Sequence, residues 1–368
     1  MFQLLCYFQH SLKSGYLMKK TDIEKRAATA IKSCLDGVPF IRVKQIRQHE
    51  QLGNLKADLL IDFQVADGPL RSIVAETKVN GQPRLAREAV NHLVRMKNES
   101  PGVDGVFMAP YISPDSAEIC RKEGIGYLDL AGNCLISFET VFILREGIQN
   151  PFSEKRYLRS LYTTKSARVL RVLLMHNLEW WKTQPLANEA AVSLGQVANV
   201  KKLLRDREWI FEDTRGFRLS DPQDLLKEWS ENYSFRKNTV RNFYSLKRPE
   251  EIEKAVTRAC SELDITYAFT GFSAARRIAP TVLGQRAMGY VSTIPEALLE
   301  RSGLKEVTSG ANASLILPYD EGVYYMTREV DSLRVVCPVQ LYLDLKAYKG
   351  RGEEAAEAIW KKELSTLW

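Results

Sequence analysis

The sequence predicts an α/β (α+β) chain of several domains, and three observations predict it. Toward both ends, segments of helical periodicity alternate with short apolar runs of strand length, the order that builds sheets covered by helices. In the middle, from Thr164 to Pro222, three helical segments precede two short strands, the order of a winged helix-turn-helix. At 368 residues the chain also has room for about two to three domains. The order of elements places them at 18–150, 155–245 and 246–368.

With 45% hydrophobic and 26% charged residues, the composition is that of an ordinary soluble globular protein. Cys6, Cys34, Cys120, Cys134, Cys260 and Cys337 are scattered, with no C-x-x-C pair and no nearby histidine. That argues against a structural zinc and against a disulfide framework, and so for a reducing cytoplasm. Four histidines leave little room for His-based catalysis. No apolar run approaches the ~18 residues of a membrane span.

Met1 to Tyr16 is apolar but interrupted by His10 and Lys13, and it lacks the basic start of a signal peptide. Met18-Lys19-Lys20 followed by Thr21-x-x-Glu24 reads as a start just ahead of a capped helix. Residues 1–17 therefore read as an upstream extension. Deleting them is expected to leave the melting temperature unchanged, and a large drop would refute this.

In the first domain the spacing predicts a helix over Asp22–Cys34, then strands at Phe40–Arg47, Ala57–Val65 and Ser72–Val79. A helix over Pro83–Lys97, a strand at Val103–Met108 and a helix over Pro114–Glu123 follow. Strands near Tyr127–Leu130, Cys134–Phe138 and Val141–Leu144 close it. Asp58 opens one apolar strand, and Glu76-Thr77-Lys78 ends the next. Period two puts Val74, Glu76 and Lys78 on one face and Ile73, Ala75 and Thr77 on the other.

A carboxylate and an ammonium at the end of an otherwise buried strand cost desolvation unless they pair or hold an ion. Asp58 and Glu76 offer hard oxygen ligands suited to Mg²⁺, and Lys78 could orient a water for phosphodiester hydrolysis. The plain alternative is an exposed strand end with a surface ion pair. A second point, Asp129 and Asn133 around Gly132, would approach that site or simply turn the chain, and turning is the better account.

These residues, in this order of elements, resemble the PD-(D/E)xK nuclease superfamily, whose fold is restriction-endonuclease-like. The resemblance covers about 18–150, with Ala57 where the motif has proline. It implies catalysis by Asp58, Glu76 and Lys78, with Mg²⁺ on Asp58 and Glu76, if the site is active. Further candidates are Glu24 from the first helix and Gln82, Arg84 or Arg87 after the motif. The superfamily also has inactive members used as DNA-binding scaffolds.

In the second domain Val169, Leu170, Val172, Leu173 and Leu174 form an apolar stripe. Trp180, Trp181 and Pro185 interrupt that helix, and Leu186–Val192 is a short second one. Ser193 stands as N-cap to a third, in which Leu194, Val197, Val200 and Leu204 face a core. Its other side carries Gln196, Asn199, Lys202 and Arg205, side chains that can reach base edges or phosphates. Trp209–Asp213 and Phe217–Leu219 read as a two-stranded ribbon around Thr214-Arg215-Gly216, with Arg215 and Arg218 placed to lie on phosphates.

Residues 155–250 hold 19 Lys and Arg against 11 Asp and Glu, a net of +8, whereas the whole chain nets +7. The positive field is concentrated on this segment, as binding to double-stranded DNA requires. DNA binding of this kind needs no cofactor. A winged helix that docks another protein is the bland alternative.

In the third domain Pro249–Leu263 reads as a helix and Thr266–Phe269 as a strand. A break at Gly271 leads into a short helix from Ser273 that Pro280 stops. That strand-Gly-helix join, with Arg276 and Arg277 a turn on, exposes amides that suit a phosphate, although packing of a small α/β domain accounts for it better. Strands at Met288–Thr293, Ser314–Pro318 and Val335–Cys337 and helices at Val339–Tyr348 and Glu353–Leu364 follow.

The ordered set of Thr270-Gly271-Phe272-Ser273-Ala274-Ala275, Pro318-Tyr319-Asp320-Glu321-Gly322-Val323 and Cys337-Pro338-Val339-Gln340-Leu341-Tyr342-Leu343-Asp344-Leu345, after a winged helix, resembles the AbiEi antitoxins of type IV toxin–antitoxin systems. The resemblance covers about 155–366. It implies a transcriptional regulator that binds inverted repeats in its own promoter, hence two copies on the DNA. It also implies a nucleotidyltransferase toxin, encoded nearby, as partner. The DNA contacts then map onto Gln196, Asn199, Lys202, Arg215 and Arg218.

Overall fold

The computed structural model describes residues 20–138, 141–151, 161–279, 284, 286–348 and 350–368. The 1–17 extension and Pro280 lie outside the described residues. The chain divides into two compact units, 1–159 with 205–208, and 160–204 with 209–368.

The first unit opens with α1 (Lys20–Asp36), which buries Ile23, Ala27, Ile31 and Leu35 at helical spacing. Strands β1 (Ile41–Gln48), β4 (Leu59–Val65) and β5 (Leu70–Thr77) follow, with a two-residue-per-strand hairpin, β2 (Gln51–Leu52) and β3 (Leu55–Lys56), inserted before β4. Then come α2 (Pro83–Glu99), β6 (Val103–Ala109), α3 (Pro114–Lys122), β7 (Gly126–Asp129), β8 (Cys134–Phe138) and β9 (Val141–Arg145). One seven-stranded sheet results, in the order β1-β4-β5-β6-β7-β8-β9. Only β5–β6 and β6–β7 run parallel, because only those connections carry a crossover helix.

The alternation expected in β5 holds. Ile73 and Ala75 join the core that receives α1 residues, whereas Val74 joins the opposite core with Ala86, Ala89, Val90 and Leu93 of α2. Helices therefore cover both faces of the central strands.

α4 (Thr164–Met175), α5 (Thr183–Glu189) and α6 (Leu194–Asp206), whose residues up to 204 belong to the second unit, precede the ribbon of β10 (Ile210–Asp213) and β11 (Gly216–Leu219) in that unit. Trp181 bridges to Phe217 through two backbone hydrogen bonds of 2.8 and 3.0 Å, adding a third, short strand to the ribbon. Gly216 is obligatory there: its φ is +135°, and a Cβ would lie 2.2 Å from the Trp181 carbonyl oxygen. This is the order and pairing of a winged helix-turn-helix. The short second helix lies three residues earlier than expected at each end, because Lys182 and not Pro185 sits at its N-cap.

The remainder comprises α7 (Pro222–Asn232), β12 (Thr239–Tyr244), α8 (Pro249–Glu262), β13 (Tyr267–Phe269), α9 (Gly271–Ile278), β14 (Ala287–Val291) and α10 (Glu296–Ser302). β15 (Lys305–Glu306), β16 (Ala313–Leu317), β17 (Arg328–Val330), β18 (Leu333–Val335), α11 (Pro338–Lys346) and α12 (Arg351–Ile359) complete it. They build a second seven-stranded mixed sheet, β15-β12-β16-β14-β13-β18-β17. The fold class is thus mixed α/β and multidomain. β12 escaped the sequence reading because only Phe243 in it is buried, so it carries no apolar alternation. Among the described residues no helix is long and apolar enough to cross a membrane.

Candidate nucleic-acid interface and carboxylate cluster

In the first unit the register that pairs Leu59 with Ala75 brings Asp58 to the end of β5. There the Thr77 amide and hydroxyl donate to Asp58 Oδ2 at 2.8 and 2.9 Å, and Lys20 Nζ donates to Oδ1 at 3.0 Å. Burial pulls the Asp58 carboxyl upward, but the Thr77 amide and Lys20 outweigh it and hold the carboxyl below its ordinary range. Glu24, buried on α1, lies 3.7 Å from Lys20 Nζ and 3.5 Å from His49 Nε2.

Glu76 is engaged elsewhere. Lys78 Nζ lies 3.2 Å from its Oε1, and His92 Nδ1 lies 3.0 Å from its Oε2. Lys78 also donates to Glu88 at 2.7 Å. Ligand atoms of Glu24, His49 and Asp58 fall within 4.8 Å of one another, a group that does not include Glu76. The residues therefore fit a divalent cation at Asp58 only if the Lys20 ammonium gives way. Asp58 is bonded to Lys20 and Thr77, and Glu76 to Lys78 and His92.

Lys20, His49, His92 and Glu88 were not legible as members. Lys20 lies 38 positions from Asp58 in sequence, His49 is brought beside it across the β2–β3 hairpin, and only the spacing Glu88–His92 on one helix hinted at the last two. Asp129 is a turn residue: its carboxylate accepts from the amides of Gly132 and Asn133 at 2.8 and 2.9 Å and from Asn133 Nδ2 at 2.9 Å.

On the helix-turn-helix, the Ser193 hydroxyl accepts weakly from the Gln196 amide at 3.3 Å as an N-cap does. Val197, Val200 and Leu204 are buried, and Asn199, Lys202 and Arg205 are exposed on the other side of α6. Gln196 departs from the expected row. Its side chain is half-buried and donates to Ser166 Oγ of α4 at 2.8 Å, so it ties the first and third helices together.

At the ribbon tip Arg215 is exposed and forks onto the Asp213 carboxylate at 2.5 and 3.0 Å. Its guanidinium stands 4.1 Å from the Trp180 ring centre, and that of Arg218 stands 5.2 Å from the same ring and 5.5 Å from Phe211. A positive stack is therefore held on aromatic faces. The sequence reading took Trp180 only as a helix break.

Two of the three C-terminal motifs make polar contacts with α4, and the first joins them through Asp344. Arg168 forks onto Asp320 at 2.8–3.0 Å. Arg171, buried, donates through Nε and Nη2 to Gln340 Oε1 at 3.0 and 2.5 Å. Gln340 Nε2 in turn donates to Asp344 Oδ1 at 2.8 Å. Asp344, fully buried, also accepts from Thr270, Tyr233 and Tyr290 at 2.5, 2.6 and 3.0 Å. The join after β13 is not a cradle for phosphate. Arg276 and Arg277 both close on the fully buried Glu253 at 2.6 and 2.5 Å, and the Ser273 hydroxyl accepts from the Met288 amide.

These features define a multidomain, mixed α/β protein with two large mixed sheets, the second of which is preceded by three helices and a two-stranded ribbon. Residues 218–365 match the family model described as transcriptional regulator, AbiEi antitoxin, type IV TA system. That match begins inside β11 and takes in all three motifs.

No curated protein matches the chain. Among solved structures, similarity was found to a repair endonuclease from Pyrococcus abyssi, at 14% identity and a TM-score of 0.24, over 32% of this chain and 48% of that one. EndoMS bound to double-stranded DNA gives 18% identity and a TM-score of 0.23, over 31% and 47%. The chain spans about half the length of these proteins. At such TM-scores the likeness assigns neither site nor activity.

Proposed function

We propose that this protein is a DNA-binding transcriptional regulator of the AbiEi antitoxin kind, reading duplex DNA through its winged helix. The observation that carries the reading is the exposed row Asn199, Lys202 and Arg205 on α6 together with the Arg215–Arg218 stack of the ribbon, on a segment of net +8. The cations supply affinity by displacing counterions from phosphates, and the amide of Asn199 supplies base-edge contact. The family match at 218–365 supports the regulator role and a toxin partner. A nucleotidyltransferase encoded nearby is the partner this reading expects, and two copies of the chain would occupy an inverted repeat. DNA binding here calls for no cofactor.

A second reading, a Mg²⁺-dependent DNA nuclease, is favoured by the burial of Glu24, Asp58 and Glu76, the last with Lys78 Nζ 3.2 Å from its carboxylate. In it the carboxylates would hold the metal, which would supply Lewis acidity, and Lys78 would orient the attacking water.

Purified protein mixed with supercoiled and with linear DNA, in Mn²⁺ and in EDTA, beside Glu76→Ala, separates the two. DNA shifted on a native gel but left intact, identically in the variant, is the expected result. Metal-dependent cuts that the variant loses would replace the regulator by the nuclease.

A further inference from the structure

We propose that the Lys20 ammonium holds the cation position of the Glu24–His49–Asp58 cluster, so that the native chain takes no divalent ion there, and that removing this ammonium opens a site for one. Glu24 and Asp58 are both buried, and ligand atoms of these carboxylates and of the His49 imidazole lie within 4.8 Å of one another. Two carboxylates and an imidazole are a donor set for Mn²⁺ or Zn²⁺. The sequence resemblance implies a different set, Asp58 with Glu76. Glu76 lies outside this group and is held by Lys78 and His92.

Each member reaches the cluster from a different element. Asp58, just ahead of β4, gives Oδ2 to the Thr77 amide and hydroxyl, and its Oδ1 accepts from Lys20 at 3.0 Å. His49 follows the last residue of β1 with a φ of +57°, and its amide donates to the Asp58 carbonyl oxygen at 3.0 Å. That bond sets its imidazole beside the two carboxylates. Glu24 stands one turn after Lys20 on α1 and is 4% exposed. The basic nitrogens near its carboxylate are Lys20 Nζ at 3.7 Å and His49 Nε2 at 3.5 Å, both beyond ordinary hydrogen-bond length. A buried carboxylate held so loosely is one that a closer cation would satisfy.

Lys20 and a metal ion exclude each other. Metal–oxygen distances run about 2.0–2.6 Å, so an ion on Asp58 Oδ1 would stand against an ammonium already 3.0 Å from that oxygen. Like charges that close repel strongly where little water screens them. The ammonium has the advantage of the tether: it belongs to the helix that carries Glu24 and is not captured from solution. Its single charge leaves the two carboxylates a formal balance of −1, so the cluster attracts a divalent ion once Lys20 is gone. The first unit is thereby closed to metal at this place, which goes beyond the DNA reading and opposes the nuclease one.

The test is Mn²⁺ uptake by the full-length chain, stripped with EDTA and dialysed, read as loss of the free-ion paramagnetic resonance signal. Mn²⁺ is held at about 0.1 mM, in the range of weak carboxylate sites, and no DNA is present. The parent is expected to take up no ion that Asp58→Asn abolishes. Lys20→Met is expected to take up one Mn²⁺ per chain more than the parent, and adding His49→Ala to weaken that uptake about tenfold or more. Lys20→Arg keeps a cation and is expected to behave as the parent. Lys20→Gln, which retains a donor toward Asp58, carries the same expectation as Lys20→Met should the apolar variant fail to fold. An Asp58-dependent ion in the parent would overturn the proposal. So would no gain of Mn²⁺ in a folded neutral variant, a gain kept in full without His49, or an equal gain in Lys20→Arg. With no DNA in the samples, none of these outcomes bears on the DNA reading.

Discussion

Reversing charge at Lys202 and Arg215 together, as Lys202→Glu with Arg215→Glu, is expected to weaken binding to duplex DNA by about 100-fold or more near 0.1 M salt. The slope of log affinity against log salt is expected to fall by about two, one for each phosphate no longer neutralised. Both residues are exposed, one on α6 and one at the ribbon tip, so the fold should be untouched and circular dichroism should show it. The structure adds a control of opposite sign. Arg215 is already forked onto Asp213, a carboxylate that competes with any phosphate. Asp213→Asn removes the competitor and is expected to tighten binding. Fluorescence anisotropy across a salt series reads all of these, and an unchanged affinity in the double variant would sink the DNA-reading assignment.

The largest loss of stability is expected from Gln340→Leu. Gln340 accepts from buried Arg171 and donates to buried Asp344, so its loss takes the acceptor from the Arg171 Nε and Nη2 groups and one of four donors from Asp344. Leaving a buried charge uncompensated costs about 3–5 kcal/mol, comparable to a large share of the stability of a whole domain. Denaturant unfolding followed by tryptophan fluorescence measures it, since Trp229 lies over the Arg171 guanidinium at 5.2 Å. A loss below about 1 kcal/mol would show that the network is not held by this amide. Because Arg171 belongs to α4, the same variant should loosen the first helix of the helix-turn-helix from the C-terminal sheet.

Two of the buried aspartates, Asp344 and Asp58, should respond to pH in opposite senses. Burial raises the Asp344 carboxyl even against its four donors. A raised carboxyl contributes stability that is fully present below the unfolded pKa and is lost as pH climbs through the folded one. Asp58 is net lowered, so its contribution is present above the ordinary carboxylate range and is lost as pH falls through the depressed value. Acid titration should therefore disturb the Asp58–Lys20 region before the Asp344 network. Hydrogen exchange at the amide of Thr77 and in α11 would report the order, and earlier loss of protection in α11 would contradict it.

How far the site was legible varies with how local its causes are. The alternation of Ile73, Val74 and Ala75 put Glu76 at a buried strand end, and the periodicity of Val197, Val200 and Leu204 exposed Asn199, Lys202 and Arg205. Those inferences rest on periods of two and 3.6 that a short window contains. Gln196 shares the polar row with Asn199, yet a hydroxyl on α4 thirty residues earlier captures it. No spacing rule within α6 could report that.

The sequence by itself determined the mixed α/β class, the helix-turn-helix with its ribbon, the positive stretch, and the three motifs of the C-terminal region. Each depends on interactions within a few residues or on a sum over a segment. Only the tertiary structure decided which polar groups meet: Lys20 with Asp58, Arg171 with Asp344 through Gln340, Arg276 and Arg277 with Glu253, and Arg145 with Cys34. A buried polar group must find its partner wherever packing brings one. Where desolvation is the cost, distance along the chain does not limit the choice.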